Sequence, residues 1–193
     1  MNRTLIAAAL SLASIGAFAQ TSAATTQRDV NQQTRIERGL KDGSLTTKEA
    51  AKLEKEEGHV DRLQAQALKD GKLTAAERQK LDHAQDKVSA DIAAQRHDAQ
   101  TGNPQSASSQ RMQADVARNV AQDKRINQGV RSGELTNHEA ARLERGQAKV
   151  AHQEARSGRN GHVDAVEQAR VQRAQNKQSR RIHRQKHDAQ ARG

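Results

Sequence analysis

A motif that occurs four times constrains the fold of this chain more than any other sequence feature. It reads LKDGSLTTKEAAKL at residues 40–53, LKDGKLTAAERQKL at 68–81, VRSGELTNHEAARL at 130–143 and, more divergently, GRNGHVDAVEQARV at 158–171. In each copy a glycine is followed by an aliphatic residue two positions later and by an acid six positions later. A glycine, a short turn and a helix-favouring run predict two helices joined by a tight connection.

The spacing of the motifs predicts an internal duplication. Gly43 and Gly71 are 28 residues apart, as are Gly133 and Gly161, and the two pairs are offset by 90 residues. The same offset relates RHDAQ at 96–100 to KHDAQ at 186–190. Because two motifs connect three helices, we predict an all-α fold: a tandem duplication of a three-helix module of roughly 90 residues, at 27–100 and 111–193.

Helix capping accounts for the residues of the motif. Gly43 suits the left-handed position that ends one helix, and Thr46 suits the N-cap of the next. Glu49, three residues after Thr46, completes a capping box, and Leu45 is placed to pack back on the new helix. The same caps are predicted in the next two copies at Gly71, Thr74, Glu77, Gly133, Thr136 and Glu139.

A calcium-binding loop is the alternative explanation of the motif. Glycine, an aliphatic residue and glutamate at loop positions 6, 8 and 12 match the second half of an EF-hand. Calcium also needs oxygen ligands at positions 1 and 3, where the four copies carry Arg, Gln, Leu, Val or Gly. The pattern favours a degenerate EF-hand that kept its turn, and a calcium- or metal-responsive protein stays open as an alternative.

The N-terminus has the features of a secretory signal peptide. Residues 1–19 contain Arg3, an apolar run and the sequence Ala-Phe-Ala, which places the cleavage after Ala19. We therefore expect a flexible lead at residues 20–26 and a periplasmic or secreted protein. No cysteine is present, so neither a lipoprotein anchor nor a disulfide is expected.

The composition argues against an enzyme. Phe18 is the sole aromatic residue, and the mean hydropathy is -1.02. Few large apolar side chains are available to enclose a catalytic pocket. The sequence contains no P-loop, no Gly-x-Ser-x-Gly and no His-Glu-x-x-His motif. We expect a protein with no enzymatic activity, no cofactor and no small-molecule substrate.

Apolar residues at helical intervals predict the three helices of each module. In the first module the helices are expected at about 27–41, 46–70 and 74–98, with the adjacent acids Glu56 and Glu57 on a solvated face. A linker at residues 101–110 holds the sole proline, Pro104. The third helix of the second module has lost apolar positions, such as Gln178 in place of Val88, and is expected to pack loosely or to need a partner.

Charge is distributed unequally along the chain. Residues 20–104 contain 14 basic and 14 acidic residues, whereas residues 105–193 contain 18 basic and 9 acidic residues. Much of the excess recurs every three or four positions on the last predicted helix. Such a stripe can bind polyanions through counterion release, or it can be an ordinary solvated face. The candidate polyanion-binding residues are Arg170, Arg173, Lys177, Arg180, Arg181 and Arg184.

A weaker candidate for metal binding lies on the same helix. His183 and His187 are four residues apart and can face one cation together. Two surface histidines in a basic helix give the same pattern, so we expect no metal site and keep the pair as a weak candidate.

Residues 35–54 and 96–100 carry a family resemblance. Their pattern, R-I-x-x-G-x-x-x-G-x-L-T-x-x-E-A-x-x-L-E with a later H-D-A-Q, resembles a group of small exported proteobacterial proteins rich in Ala, Arg and Gln and of uncharacterised function. A looser similarity links the Leu-Thr pairs at 45–46 and 73–74 to periplasmic chaperones of the Spy and CpxP type, with Glu in place of their Gln. The resemblance implies a family and brings no activity.

Together these features predict a binding or structural protein of the cell envelope. We expect its second module to engage an anionic macromolecule or a membrane surface, such as lipopolysaccharide, nucleic acid or an acidic protein. A stress chaperone acting on client proteins is the first alternative, and a calcium- or metal-responsive protein is the second. Thin helix seams are also compatible with an oligomer.

Overall fold

The computed structural model describes the backbone of residues 12–188 and the side chains of residues 22–188. Within this range the chain forms helices and no strand, which confirms the all-α class. Residues 1–11 of the predicted signal peptide and residues 189–193 lie outside the described residues. The helices are α1 (Leu12–Asp42), α2 (Thr47–Ala67), α3 (Ala75–Arg96), α4 (Ala107–Ser132), α5 (Asn137–Ser157) and α6 (Ala165–Lys186).

Capping boxes start four of these helices. The Thr46 hydroxyl accepts the backbone N–H of Glu49, and a Glu49 carboxylate oxygen accepts the backbone N–H of Thr46 at 2.8 Å. Thr74 with Glu77 and Thr136 with Glu139 repeat this arrangement at α3 and α5. At α6, Asp164 replaces the threonine and pairs with Glu167. The glycines that precede these boxes have φ between 79° and 83°, which favours glycine: Gly43, Gly71, Gly133 and Gly161.

The helix bounds follow the offset in the sequence. α5 and α6 begin and end 90 residues after α2 and α3, and α4 ends 90 residues after α1. The two halves of the chain nevertheless do not pack as separate units. The most extensive contacts in the described part join α2 to α5 and α1 to α4, so each half packs mainly on the other.

Both of these helix pairs are antiparallel. Near the end of α1, the Leu40 carbonyl accepts a hydrogen bond from Gln113 on the first turns of α4. Near the start of α1, the Ala23 carbonyl accepts one from Asn127, towards the end of α4. In the middle of α2, a side-chain carbon added to Gly58 would lie 3.1 Å from Cβ of Ala151 on α5. The absence of a side chain at position 58 therefore lets the two backbones approach closely.

Two apolar clusters form the core, and both halves of the chain contribute to each. Ile36, Leu40 and Leu53 pack with Met112 and Val116 in the first cluster. The second cluster combines Leu68, Leu73 and Leu81 with residues of the second half. Those residues are Ile126, Val130, Leu135, Leu143 and Ile182. The core is thus assembled across the halves.

The structure corrects the prediction of a flexible lead at residues 20–26. These residues are helical and belong to α1, and Thr25 and Thr26 are buried. The reason is their position against α4 and α5. Asn127 donates to the Thr26 hydroxyl at 2.8 Å, and the hydroxyl of Ser22 donates to Asn137. The linker lies four residues earlier than the predicted 101–110, because α3 ends at Arg96 and α4 already begins at Ala107.

The prediction that the last helix packs loosely is wrong. Buried residues hold α6 along its length: Val171, Gln175, Gln178 and Ile182. Gln178 occupies the position expected for an apolar residue and packs over Gly146. A side chain added at position 146 would collide with Gln178. Its side-chain amide donates to the Leu143 carbonyl at 2.8 Å. A hydrogen-bonded amide therefore replaces the lost aliphatic contact.

Candidate polyanion-binding surface

The six predicted polyanion-binding residues lie along one helix, α6. Arg170, Arg173, Lys177, Arg180 and Arg184 are exposed, and Arg181 is half-buried. Within the described residues none of these six cations forms an ion pair with a carboxylate. Their charges are therefore available to an external anion. We call these six residues the α6 stripe.

A groove joins the α6 stripe to the neighbouring helix α5. The groove has a volume of about 500 Å³ and is lined by Arg181 and Arg184 from α6. Its other wall carries Arg142, Arg145 and Lys149 from α5, all exposed. Asp188 also lines it, at the end of the described chain. Arginine presents several donors in a planar fork that matches phosphate oxygens. The groove is thus a basic cleft suited to phosphate groups.

The sequence interpretation missed a second basic surface, formed by α2 and α5 together. On both helices every exposed residue that can ionise is a base, and the acids lie at inner or capping positions. The signal was present in the sequence as a separation of acids from bases around each helix. We call this surface the α2–α5 face. It consists of Lys48, Lys52, Lys55, His59, Arg62, His138, Arg142, Arg145, Lys149, His152 and Arg156.

The inner side of the same helices carries a layer of buried carboxyl groups. Glu57, expected on a solvated face, is only 1% exposed, which corrects that prediction. Seven further acids are buried with it between α1, α2, α4 and α5. They are Asp29, Glu54, Asp61, Asp115, Asp123, Glu144 and Glu154. We call these eight residues the carboxyl layer.

Amides from the facing helices bind the carboxyl layer. Asn119 on α4 donates to Glu154 on α5 at 2.7 Å, and Gln175 on α6 donates to the other oxygen of Glu154 at 2.9 Å. Gln33 on α1 donates to Glu54 on α2 at 3.1 Å. No described ion pair involves a member of the layer. Neutral amide donors rather than cations therefore compensate four of the eight acids, Asp29, Glu54, Asp123 and Glu154.

Burial raises the pKa of every member of the carboxyl layer. Loss of hydration raises the pKa of Asp29 to about 6, of Glu54 to about 7 and of Asp115 to about 8. For Glu57 the pKa is raised well above its usual value, first by burial and then by the charge of Asp29. Burial likewise raises the pKa well above its usual value in Asp61, Asp123, Glu144 and Glu154.

The raised pKa values affect the net charge of the protein. The formal net charge of +10 counts every acid as ionised. Because part of the carboxyl layer holds its protons near neutral pH, the folded protein is more positive than this count. The remaining acids are distributed so that the α2–α5 face carries bases alone.

The metal candidates lack a complete set of ligands. The rings of His183 and His187 lie 4.3 Å apart between centroids, and His187 Nδ1 contacts the carbonyl of His183. In the loop between α1 and α2, where the calcium alternative would place its ligands, Asp42 accepts hydrogen bonds from Ser44 and from Arg96 at 2.7 Å. In the part of the chain that the structure describes, no group of three or more His, Asp or Glu is arranged to hold a metal ion.

Replacing Thr46 with alanine separates the capping function of the motif from calcium binding. We expect Thr46→Ala to lower the free energy of unfolding by about 1 kcal/mol, because α2 loses its N-cap. The loss should be the same with calcium and with a chelator, and Thr46→Ser should restore most of the stability. Chemical denaturation followed by circular dichroism measures all three. A loss that appears only when calcium is present would instead support an ion site.

Comparisons with protein-family models, curated proteins and solved structures found no match for this chain. Among the residues that the structure describes, no helix combines the length and the apolar character needed to cross a membrane.

Proposed function

We propose that this chain is an exported, non-enzymatic helical protein of the cell envelope that binds an anionic macromolecule. The observation that carries the proposal is the α6 stripe, whose cations are solvent-accessible and free of described ion pairs. In this proposal the chain is a tandem duplication whose second copy gained the stripe. The partner classes are lipopolysaccharide, nucleic acid or an acidic protein.

Electrostatics supports binding without an enclosed pocket. A polyanion that contacts several cations releases its counterions, and this release supplies most of the affinity. The groove between α5 and α6 adds arginines that can bind phosphate through two parallel hydrogen bonds. Binding of this kind is strong at low salt and has little sequence selectivity.

Neutralising the α6 stripe should reduce the salt dependence of binding. In the chain from Gln20 to Gly193, we replace four residues together: Arg170→Gln, Arg173→Gln, Lys177→Gln and Arg180→Gln. The slope of log affinity against log salt is negative, and its magnitude should then decrease by about 3 to 4 units, which is close to one unit for each lost phosphate contact. Anisotropy of labelled lipopolysaccharide and labelled duplex DNA measures the slope, and the label is required because the sequence from residue 20 onward has no aromatic side chain.

A matched control removes the same charge elsewhere. Lys72, Arg78, Lys80 and Lys124 are exposed and lie outside the α6 stripe and the groove. Replacing these four with glutamine should leave most of the salt slope intact. Equal losses in the two variants would mean that net charge alone drives binding, and the proposal for the stripe would be abandoned.

A further inference from the structure

The α2–α5 face is a basic surface that spans both halves of the chain. The inner sides of α2 and α5 pack over α1 and α4, as shown by the bonds from Gln33 to Glu54 and from Asn119 to Glu154. The outer side therefore faces solvent. From Arg142 to Arg156 the cations of α5 extend over about 21 Å at 1.5 Å per residue. The helix α2 is antiparallel to α5, and its cations lie beside those of α5. The axes of two helices packed in this way are ordinarily about 8–10 Å apart.

The α2–α5 face carries more exposed cations than the opposite side of the molecule. The opposite side, formed by α1 and α4, exposes mostly Ala, Asn and Gln, such as Asn31, Ala114 and Ala121. Its exposed cations lie towards the C-terminal ends of the two helices. A protein with more exposed cations on one side than on the opposite side has a preferred orientation against a charged plane.

We propose that the α2–α5 face lies flat on a lipid surface rich in anionic phosphate headgroups. The inference rests on the proposed function and names the partner and a second contact surface. Two adjacent helices present their cations over an area, so many of them can contact a plane of phosphates at once. The α6 stripe presents its cations along a single line and makes fewer such contacts. From residue 20 onward the sequence has no Phe, Tyr or Trp to stack on unpaired bases, which disfavours single-stranded nucleic acid.

Binding to such a surface is expected to be peripheral. Among the large hydrophobic residues that the structure describes, Val166 alone is exposed, and it lies on α6 outside the face. The α2–α5 face has no apolar side chain to insert below the headgroups. Attraction between cations and headgroups then supplies the affinity, and salt reverses it.

Vesicle cosedimentation tests the inference with the chain from Gln20 to Gly193. The probes are vesicles of phosphatidylcholine mixed with phosphatidylglycerol, vesicles of phosphatidylcholine alone, and a labelled DNA duplex. The face variant carries Lys52→Gln, Lys55→Gln, Arg62→Gln and Arg156→Gln, four exposed residues that lie outside the groove between α5 and α6. We expect it to bind the anionic vesicles on the order of several hundredfold more weakly than the parent chain, because each of the four lost cations near the surface is worth about fivefold. The four-residue control at 72, 78, 80 and 124 should bind much as the parent does.

Each other outcome has a distinct meaning. If the face variant binds anionic vesicles as tightly as the parent while the α6 variant does not, the stripe binds lipid, and the inference is overturned with the proposed function intact. If the parent chain does not bind the vesicles but binds duplex DNA, and the face variant loses this DNA binding, the partner is nucleic acid and the lipid inference fails. If the parent binds no polyanion at all, the proposed function fails as well. Unchanged helicity and thermal midpoints show that each variant is folded.

Discussion

The protein is expected to unfold at a higher temperature at about pH 5 than at about pH 8, which is unusual for a folded protein. The cause is the carboxyl layer, whose folded-state pKa values are raised by burial. A group with a raised pKa binds its proton more tightly when folded, so its stabilising effect is complete below the unfolded pKa. That effect is lost as the pH rises through the folded values of about 6, 7 and 8.

The expected change in the free energy of unfolding is a large fraction of the total stability of an ordinary domain. One pKa unit corresponds to about 1.4 kcal/mol, so Asp29 alone accounts for on the order of 3 kcal/mol. At still lower pH the trend should reverse. Lys87 donates to Asp91 and holds its pKa below the usual value, and the backbone N–H of Glu167 does the same for Asp164. Protonating such groups removes favourable contacts, so maximum stability is expected at mildly acidic pH.

Glu57→Gln isolates one member of the carboxyl layer. The residue 90 positions later is already glutamine, Gln147, which donates to Asp123 at 2.5 Å. We expect Glu57→Gln to raise the free energy of unfolding by about 1–2 kcal/mol at alkaline pH and to change it little at acidic pH. Asp70→Asn, at an exposed acid, serves as the control. Denaturant titrations across the pH range measure both. A gain that is independent of pH, or none, would show that Glu57 does not titrate as its burial requires.

Separating the two halves of the chain is expected to unfold both. Each apolar cluster takes residues from both halves, so residues 20–100 or residues 101–193 alone would expose Ile36, Leu40 or their counterparts to water. Burying a side chain of this size contributes about 1.5–3 kcal/mol, and several are lost at once. Each isolated fragment, as a monomer, should lose most of its helical circular dichroism signal and its cooperative melting.

Mixing the fragments provides the control for this experiment. The cut after Gln100 falls in an exposed stretch and keeps Gly102 with the second fragment, where its N–H can bind the Gly43 carbonyl. An equimolar mixture should recover helicity and form a one-to-one complex in sedimentation. A single fragment that is monomeric, helical and melts cooperatively would contradict a core shared between the halves. For this reason, binding experiments are better made on full chains with substitutions than on separate halves.

The sequence by itself determined where the helices that follow the motifs begin. Capping is local, since a threonine and a glutamate three residues apart complete their hydrogen bonds within one turn. The glycine of each motif adopts its left-handed conformation for an equally local reason. The predicted starts of α2 and α3 therefore lie within one residue of those in the structure. The predicted start of α1 at residue 27 is wrong, because residues 20–26 are helical and Asn127 on α4 binds Ala23 and Thr26 among them.

Only the tertiary structure decided which polar side of each helix faces inwards. On α2, the run from Lys48 to Gln64 has two polar sides, and hydropathy does not distinguish the acidic one from the basic one. Packing of α2 on α5 and α1 on α4 turns the acids inwards, where amides such as Asn119 can bind them. The bases are left outside on a surface shared by both halves. Such a surface depends on contacts between residues far apart in sequence, and these are absent from any local pattern.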